Sequence, residues 1–314
     1  MKIVVIEPIG TRLAEQECLV QDFVELGHEL VFHERHTSSD SEIIKRMTDA
    51  EVMVVSNQKV STMVIENCPK LKFISVAFTG IDHVDVETCN KNSILISNAA
   101  GYSRCSVAEL TIGLVISLFR KITWSDKQVR ELGNRAGFLG RNLSGKTIGI
   151  IGIGSIGLAV ARLALAFNMR VLAYSRTMKS EAGIKYVGLD KLLAQSDVVS
   201  LHVPLVESTK ELIGADELSM MKSDALLINT ARGQLVDNQA LANALVHEEI
   251  AGAGIDVFEV EPPIPANHPL LKAPNTILLP HIGYATEESI AHRTDIVFEN
   301  IRKWLEGSPQ NLAG

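Results

Sequence analysis

Five short segments of this chain collect the residue types that can do chemistry. The first is Gly152-Ile153-Gly154-Ser155-Ile156-Gly157, with the apolar run Thr147–Ile151 before it and a helical pattern over 156–167 after it. Strand, glycine turn and helix in that order are the context of a dinucleotide-binding site. Gly152 would permit the tight turn, Gly154 the close approach of a pyrophosphate and Gly157 the contact of helix with strand. The helix start at Ser155 and Ile156 would favour the phosphates. A plain strand-to-helix turn is the bland alternative. The second segment, Ser175-Arg176-Thr177, ends the next expected strand, with Lys179 just beyond. An acidic residue there would take the ribose 2′-hydroxyl of NAD, and none is present. Ser175 and Arg176 instead offer a hydroxyl and a planar cation to the 2′-phosphate of NADP. NADP(H) is therefore the expected cofactor, with NAD(H) the alternative if Arg176 is only a solvated surface residue.

The remaining segments are Asn229-Thr230-Ala231-Arg232-Gly233, then Gly254-Ile255-Asp256-Val257-Phe258-Glu259-Val260-Glu261-Pro262, then Leu279-Pro280-His281-Ile282-Gly283. Each stands where a strand is expected to end, which is where open α/β sheets place ligands. Arg232 is a permanent planar cation. His281 carries the side chain best suited to proton exchange near neutrality. A carboxylate such as Glu261, in contact with that imidazole, favours imidazolium. Taken singly, each has an ordinary explanation: Arg232 as a surface or cap residue, Glu261 as a turn residue, His281 as a loop histidine, Asp256 as a buried aspartate tying down a loop.

Together and in order, the glycine turn, A-R-G, D-V-F-x-x-E-P and P-H-x-G resemble the D-isomer-specific 2-hydroxyacid dehydrogenases over nearly the whole chain, in particular the glyoxylate and hydroxypyruvate reductases. The resemblance implies an NAD(P)-dependent oxidoreductase (EC 1.1.1.-) that reduces a small 2-keto acid to the D-2-hydroxy acid. Arg232 would bind the substrate's carboxylate and carbonyl, and His281 with Glu261 would be the proton donor and acceptor pair. Asp256 would orient the nicotinamide carboxamide, Thr230 and Ala231 would flank the nicotinamide, and His202 with Pro204 would line the cofactor crevice. In Val76-Ala77-Phe78-Thr79-Gly80, the backbone N–H groups of Ala77, Phe78, Thr79 and Gly80 would hold the carboxylate as an anion nest. Phe78 would wall the pocket or pack in the core, with no preference between the two. Tyr102, Arg104 and Val107 are further candidates near the pocket. The resemblance also implies a homodimer.

These loops need rigid elements behind them. Short β-branched runs recur at 3–6, 30–33, 52–55, 73–76 and 94–96, then at 147–151, 170–174, 198–201, 225–228, 252–255 and 276–278. Helical patterns such as 12–26, 41–47 and 107–119 lie between them. Continuous apolar strands alternating with helices predict parallel sheets covered on both faces. The fold class expected is α/β: two doubly wound parallel-sheet, Rossmann-like domains with an interdomain cleft. A last helix, N-capped by Thr286 with Glu287 and Glu288 in its first turn, would return to the first sheet. The boundaries expected are then 1–99 plus 286–314 for a discontinuous substrate-binding domain and 100–285 for the dinucleotide-binding domain.

Composition supports that reading. The chain has 314 residues, 46% of them hydrophobic and 21% charged, with a formal net charge of −7. That balance argues against a nucleic-acid or anionic-membrane binder. No run approaches the roughly 18–20 apolar residues of a membrane span. The N-terminal segment lacks signal-peptide anatomy, so a cytoplasmic location is expected. Cys18, Cys68, Cys89 and Cys105 are scattered without metal-ligand spacing, and no metal is expected. Two other functions compete: a nucleotide-sensing, corepressor-like binding protein on the same fold, and a dehydrogenase acting on a non-hydroxyacid such as phosphite.

Overall fold

The structure is a computed structural model that describes every residue except 136, 180, 261 and 262. The chain divides into two compact units, Met1–Ser103 with Ala285–Gly314, and Arg104–Tyr284.

In the first unit, five parallel strands lie in the order β2-β1-β3-β4-β5. They are β1 (Lys2–Val5), β2 (Glu29–Phe32), β3 (Val52–Val55), β4 (Phe73–Val76) and β5 (Leu95–Asn98). All four residues of β3 and of β4 are buried; β3 is an unbroken apolar run, and β4 is one apart from Ser75. The final helix, Glu287–Leu305, belongs to this unit. Its Phe298 ring lies 5.9 Å from Phe23, Trp304 stacks on Phe73 at 5.0 Å, and Ser75 Oγ on β4 donates to the Val297 carbonyl at 3.0 Å. Thr286 caps this helix by accepting the Ser289 N–H at 3.2 Å, with Glu287 and Glu288 in the first turn.

The second unit holds seven parallel strands in the order β12-β11-β10-β9-β6-β7-β8. These are β6 (Thr147–Ile151), β7 (Arg170–Tyr174), β8 (Ile184–Tyr186), β9 (Val198–Leu201), β10 (Leu226–Asn229), β11 (Gly252–Ile255) and β12 (Thr276–Leu278). Adjacent side chains go to opposite faces. Leu227 joins Leu192, Leu241 and Ile255 in one buried cluster, and Ile228 joins Ile112, Ile148 and Val160 in the other. The chain leaves β6 outward through β7 and β8, then returns to its other side and winds outward through β9 to β12. The reversal places a crevice outside the carboxyl ends of β6 and β9.

Two elements depart from the sequence pattern. The edge strand β8 has three residues, none buried, so it carries no apolar run. The helix Ile122–Arg130 buries none of its residues, so its spacing points to no core. Among the described residues no helix is long and apolar enough to cross a membrane, and no His, Cys, Asp and Glu group is placed to hold a metal.

Candidate active site

Residues 152–157 leave β6 at the mouth of that crevice. Gly152 has φ +98°, a left-handed backbone that favours glycine, and a Cβ there would lie 2.4 Å from the His202 carbonyl oxygen. A Cβ on Gly157 would lie 2.0 Å from the Gly152 carbonyl oxygen, so helix and turn meet backbone to backbone. Gly154 differs from both. Its backbone is extended, and nothing lies within 4 Å of where its Cβ would be. It is the N-cap of the helix Ser155–Ala166, which no side chain caps. The first N–H groups of that helix, at Ser155 and Ile156, thus remain for an anion beside a glycine that leaves room for it. These features fit a dinucleotide pyrophosphate.

Ser175 is half-buried beyond β7, while Arg176, Thr177 and Lys179 are exposed. On the other side of the turn, the His202 N–H donates to the Ile151 carbonyl at 2.8 Å, and its Nε2 lies 2.8 Å from Ser200 Oγ. Burial pushes the His202 pKa down to about 4, so the ring is neutral at physiological pH and serves as a wall of the turn. Pro204 follows on the surface.

The ends of β10, β11 and β12 lie side by side, neighbouring strands about 4.8 Å apart. Beyond β10, Asn229 folds the chain back on itself. Its Nδ2 donates to the Arg232 carbonyl at 2.8 Å and its Oδ1 accepts the Ala231 N–H at 3.1 Å. Arg232 is half-buried and donates from Nη1 to the Ala231 carbonyl at 2.7 Å. Thr230 is buried, its hydroxyl 3.2 Å from that of Thr111.

Beyond β11, Asp256 is 1% exposed, and its two oxygens accept the Ile282 N–H at 2.8 Å and the Gly283 N–H at 2.7 Å. The carboxylate therefore ties the β11 end to the loop carrying His281, the bland alternative the sequence left open. A Cβ on Gly283 would fall 2.9 Å from Asp256 Oδ2 and 3.4 Å from Val107 Cγ2, so glycine lets this loop close on both. His281 itself has φ +55°, uncommon for a residue with a side chain, and its ring meets Tyr284 edge-on at 5.6 Å. Glu261 lies outside the described residues.

In the first unit, Ala77 is fully buried and its N–H donates to Val55 at 2.7 Å. Phe78 is 8% exposed, edge-on to Tyr102 at 6.1 Å with the Arg293 guanidinium 5.3 Å from its ring, a packing environment. Thr79 is exposed and Gly80 half-buried, and Asn98 holds the Thr79 carbonyl at 2.7 Å. Tyr102 is buried in this unit, whereas Arg104 is exposed at the start of the helix Arg104–Phe119 in the other.

Sequence reasoning missed the side chains that hold these loops: Asn229, and the Glu259, His268 and Asn238 group that also lies beyond β10 and β11. Such amides and carboxylates carry no periodicity, and the partners of Glu259 lie 21 and 9 residues away in sequence, whereas those of Asn229 are local.

Residues 112–283 match the family described as "D-isomer specific 2-hydroxyacid dehydrogenase, NAD binding domain". The chain is 42% identical over 280 residues to a glyoxylate reductase of Thermococcus litoralis, covering 85% of this chain and 84% of that protein. It is 33% identical over 323 residues to a hydroxypyruvate reductase of Blautia hydrogenotrophica, covering 99% of each. Among solved structures it is similar to an acyclic imino acid reductase (Bsp5) in complex with NADPH and D-Arg, with a TM-score of 0.91 and 32% identity over the whole of both chains.

Proposed function

The chain belongs to the D-isomer-specific 2-hydroxyacid dehydrogenases, and from that premise we propose that it reduces a small 2-keto acid of the glyoxylate or hydroxypyruvate kind to the D-2-hydroxy acid, using NADPH. The observation that carries the reading is that Arg232, Asp256 and His281 follow the ends of three successive strands, β10, β11 and β12, of the sheet that also bears the uncapped glycine turn.

Gly152, Gly154 and Gly157 would admit the dinucleotide, with its pyrophosphate on the N–H groups of Ser155 and Ile156. His202 and Pro204 would flank it, and Thr230, Ala231 and Asp256 would set the nicotinamide end. When bound, the reduced nicotinamide supplies the hydride. Arg232 binds the substrate carboxylate and draws charge onto the carbonyl oxygen, with the planar fork that a carboxylate matches. His281, as imidazolium, gives that oxygen its proton, and Glu261 stabilises the imidazolium. In the reverse direction the neutral imidazole takes the proton back. Of the expected 77–80 anion nest, Ala77 drops out because its N–H is bonded to the Val55 carbonyl, and Thr79 and Gly80 remain the residues proposed to offer a carboxylate their backbone.

Hydride delivered to one face of the keto acid fixes the stereochemistry, so chiral chromatography of the product from hydroxypyruvate tests this proposal. D-glycerate is the expected product; L-glycerate or a racemate would remove it. Cofactor choice is tested separately. Arg176→Ala should weaken NADPH by about 1.5–3 kcal/mol, the loss of a hydrogen bond to a charged group, and leave NADH nearly unchanged in a fluorescence titration. Equal losses for both would return Arg176 to the solvated surface.

The likeness to the imino acid reductase favours a second substrate class, the 2-imino acids. These carry the same carboxylate and present nitrogen where the keto acid presents oxygen, so Arg232 and His281 would keep their roles.

A further inference from the structure

Beyond β11, both carboxylate oxygens of Glu259 are held by side chains from other segments. Asn238 Nδ2 donates to Oε1 at 2.5 Å, and His268 Nε2 lies 3.0 Å from Oε2. Asn238 and His268 are both buried, at 4% and 9% exposure. The Leu270 N–H points to His268 Nδ1 at 3.4 Å, which makes Nδ1 the acceptor and leaves Nε2–H to donate to Glu259. The Glu259 carbonyl is held in turn by Gln234 Nε2 at 3.2 Å. A residue held at three points, two on its carboxylate and one on its backbone carbonyl, acts as a bracket.

The bracket bears on Arg232. Gly233, the next residue, lies directly under the Phe258–Glu259 peptide: a Cβ there would fall 2.0 Å from the Phe258 carbonyl carbon and 2.5 Å from the Glu259 nitrogen. Gln234 and Asn238 belong to the same run of chain, which leads from Arg232 into the helix Asn238–Val246. Arg232 is thus fixed on one side by Asn229 and on the other by a backbone that Glu259 presses into place. No flexible side chain separates Glu259's segment from Gly233, so a shift at 259 passes to Arg232 as a backbone displacement.

Taking the keto-acid reductase reading as its basis, we propose that Glu259, gripped by Asn238 and His268, is the positioning residue for Arg232. It touches no substrate atom and acts only through the guanidinium's placement. A displacement of about an ångström at a substrate-holding group costs on the order of 100-fold in rate, so Glu259→Ala should lower kcat/KM for the keto acid by about 10- to 100-fold.

A double-mutant cycle separates this role from general loosening. Wild type, Glu259→Ala, Arg232→Ala and the double variant are assayed with the best keto acid, alongside NADPH affinity and melting temperature. The proposal expects NADPH affinity to stay within about twofold and the double variant to match Arg232→Ala within about twofold, since a misplaced arginine that is already gone costs nothing more. If Glu259→Ala costs the same factor with and without Arg232, or costs nothing, the positioning role is overturned while the reductase reading stands. A wild-type protein that turns over no keto acid overturns both. Should Glu259→Ala fail to fold, Glu259→Gln keeps the volume and the Asn238 bond. It enters the same cycle, with a loss of about three- to tenfold that again vanishes without Arg232.

Discussion

Arg232→Ala is expected to lower kcat/KM for the keto acid by about 10³-fold, some 4 kcal/mol of transition-state stabilisation, while NADPH affinity stays unchanged. The large effect follows from what the guanidinium is asked to do. In the proposed reaction it would hold the substrate's carboxylate and face the oxygen on which charge grows. The second task is stronger in the transition state than in the ground state, so the loss should fall on kcat as well as on KM. The carbonyl of Arg232 is held by Asn229, whose other bond goes to the Ala231 N–H. Those contacts survive the substitution, and so should the strand end. Arg232→Lys keeps the charge and loses the bidentate fork, so it should recover only part of the activity. Steady-state kinetics and a fluorescence titration of NADPH check both variants. Full activity in Arg232→Ala would take this residue out of the mechanism.

Gly154→Ala and Gly157→Ala should separate nucleotide binding from folding. Gly154 has ordinary extended dihedrals and open space where a Cβ would go, so alanine should leave the melting temperature within a degree or two, an effect on the order of 0.5 kcal/mol. That space is where the pyrophosphate is proposed to approach, so the added methyl should cost NADPH on the order of 100-fold in affinity, as a close steric conflict at an anion cradle would. Gly157→Ala drives a methyl into the Gly152 carbonyl, backbone against backbone, with no side chain free to yield. Helix and turn must part, and the expected loss is about 3 kcal/mol or more of stability together with nucleotide binding. Calorimetry and nucleotide titration read the two effects separately. Unchanged NADPH affinity in Gly154→Ala would move the phosphate site away from this turn.

Much of this could be read from residues alone, for identifiable reasons. Parallel strands buried on both faces appear as largely apolar runs, and β3, β4, β6, β9 and β11 fall at the expected positions, as does the half-buried edge strand β12. The glycine turn is legible because its spacing is local, and Gly152 and Gly157 each answer a separate steric demand. Thr286 could be recognised as a cap because capping is local in sequence. Other elements escaped for equally physical reasons. β8 has three residues and buries none, and the helix Ile122–Arg130 leaves Ile122, Val129 and its other apolar residues without a core to face. The ties between strand-end loops also escaped, because they join residues far apart in sequence. Asp256 holds the N–H groups of Ile282 and Gly283, and Glu259 joins Asn238 to His268. The left-handed backbone at His281 has no signature in the sequence.

The central claim is that this chain reduces a keto acid with a nicotinamide cofactor. The most direct test follows the reduced-nicotinamide absorbance of purified protein mixed with NADPH, and in parallel NADH, against glyoxylate, hydroxypyruvate, pyruvate and a branched 2-keto acid, each with and without an added amine. The account predicts oxidation of NADPH by glyoxylate or hydroxypyruvate without the amine, and faster than of NADH. Turnover only when amine is present would assign the site to 2-imino acids. Tight nucleotide binding with no turnover on any of these mixtures would contradict the account.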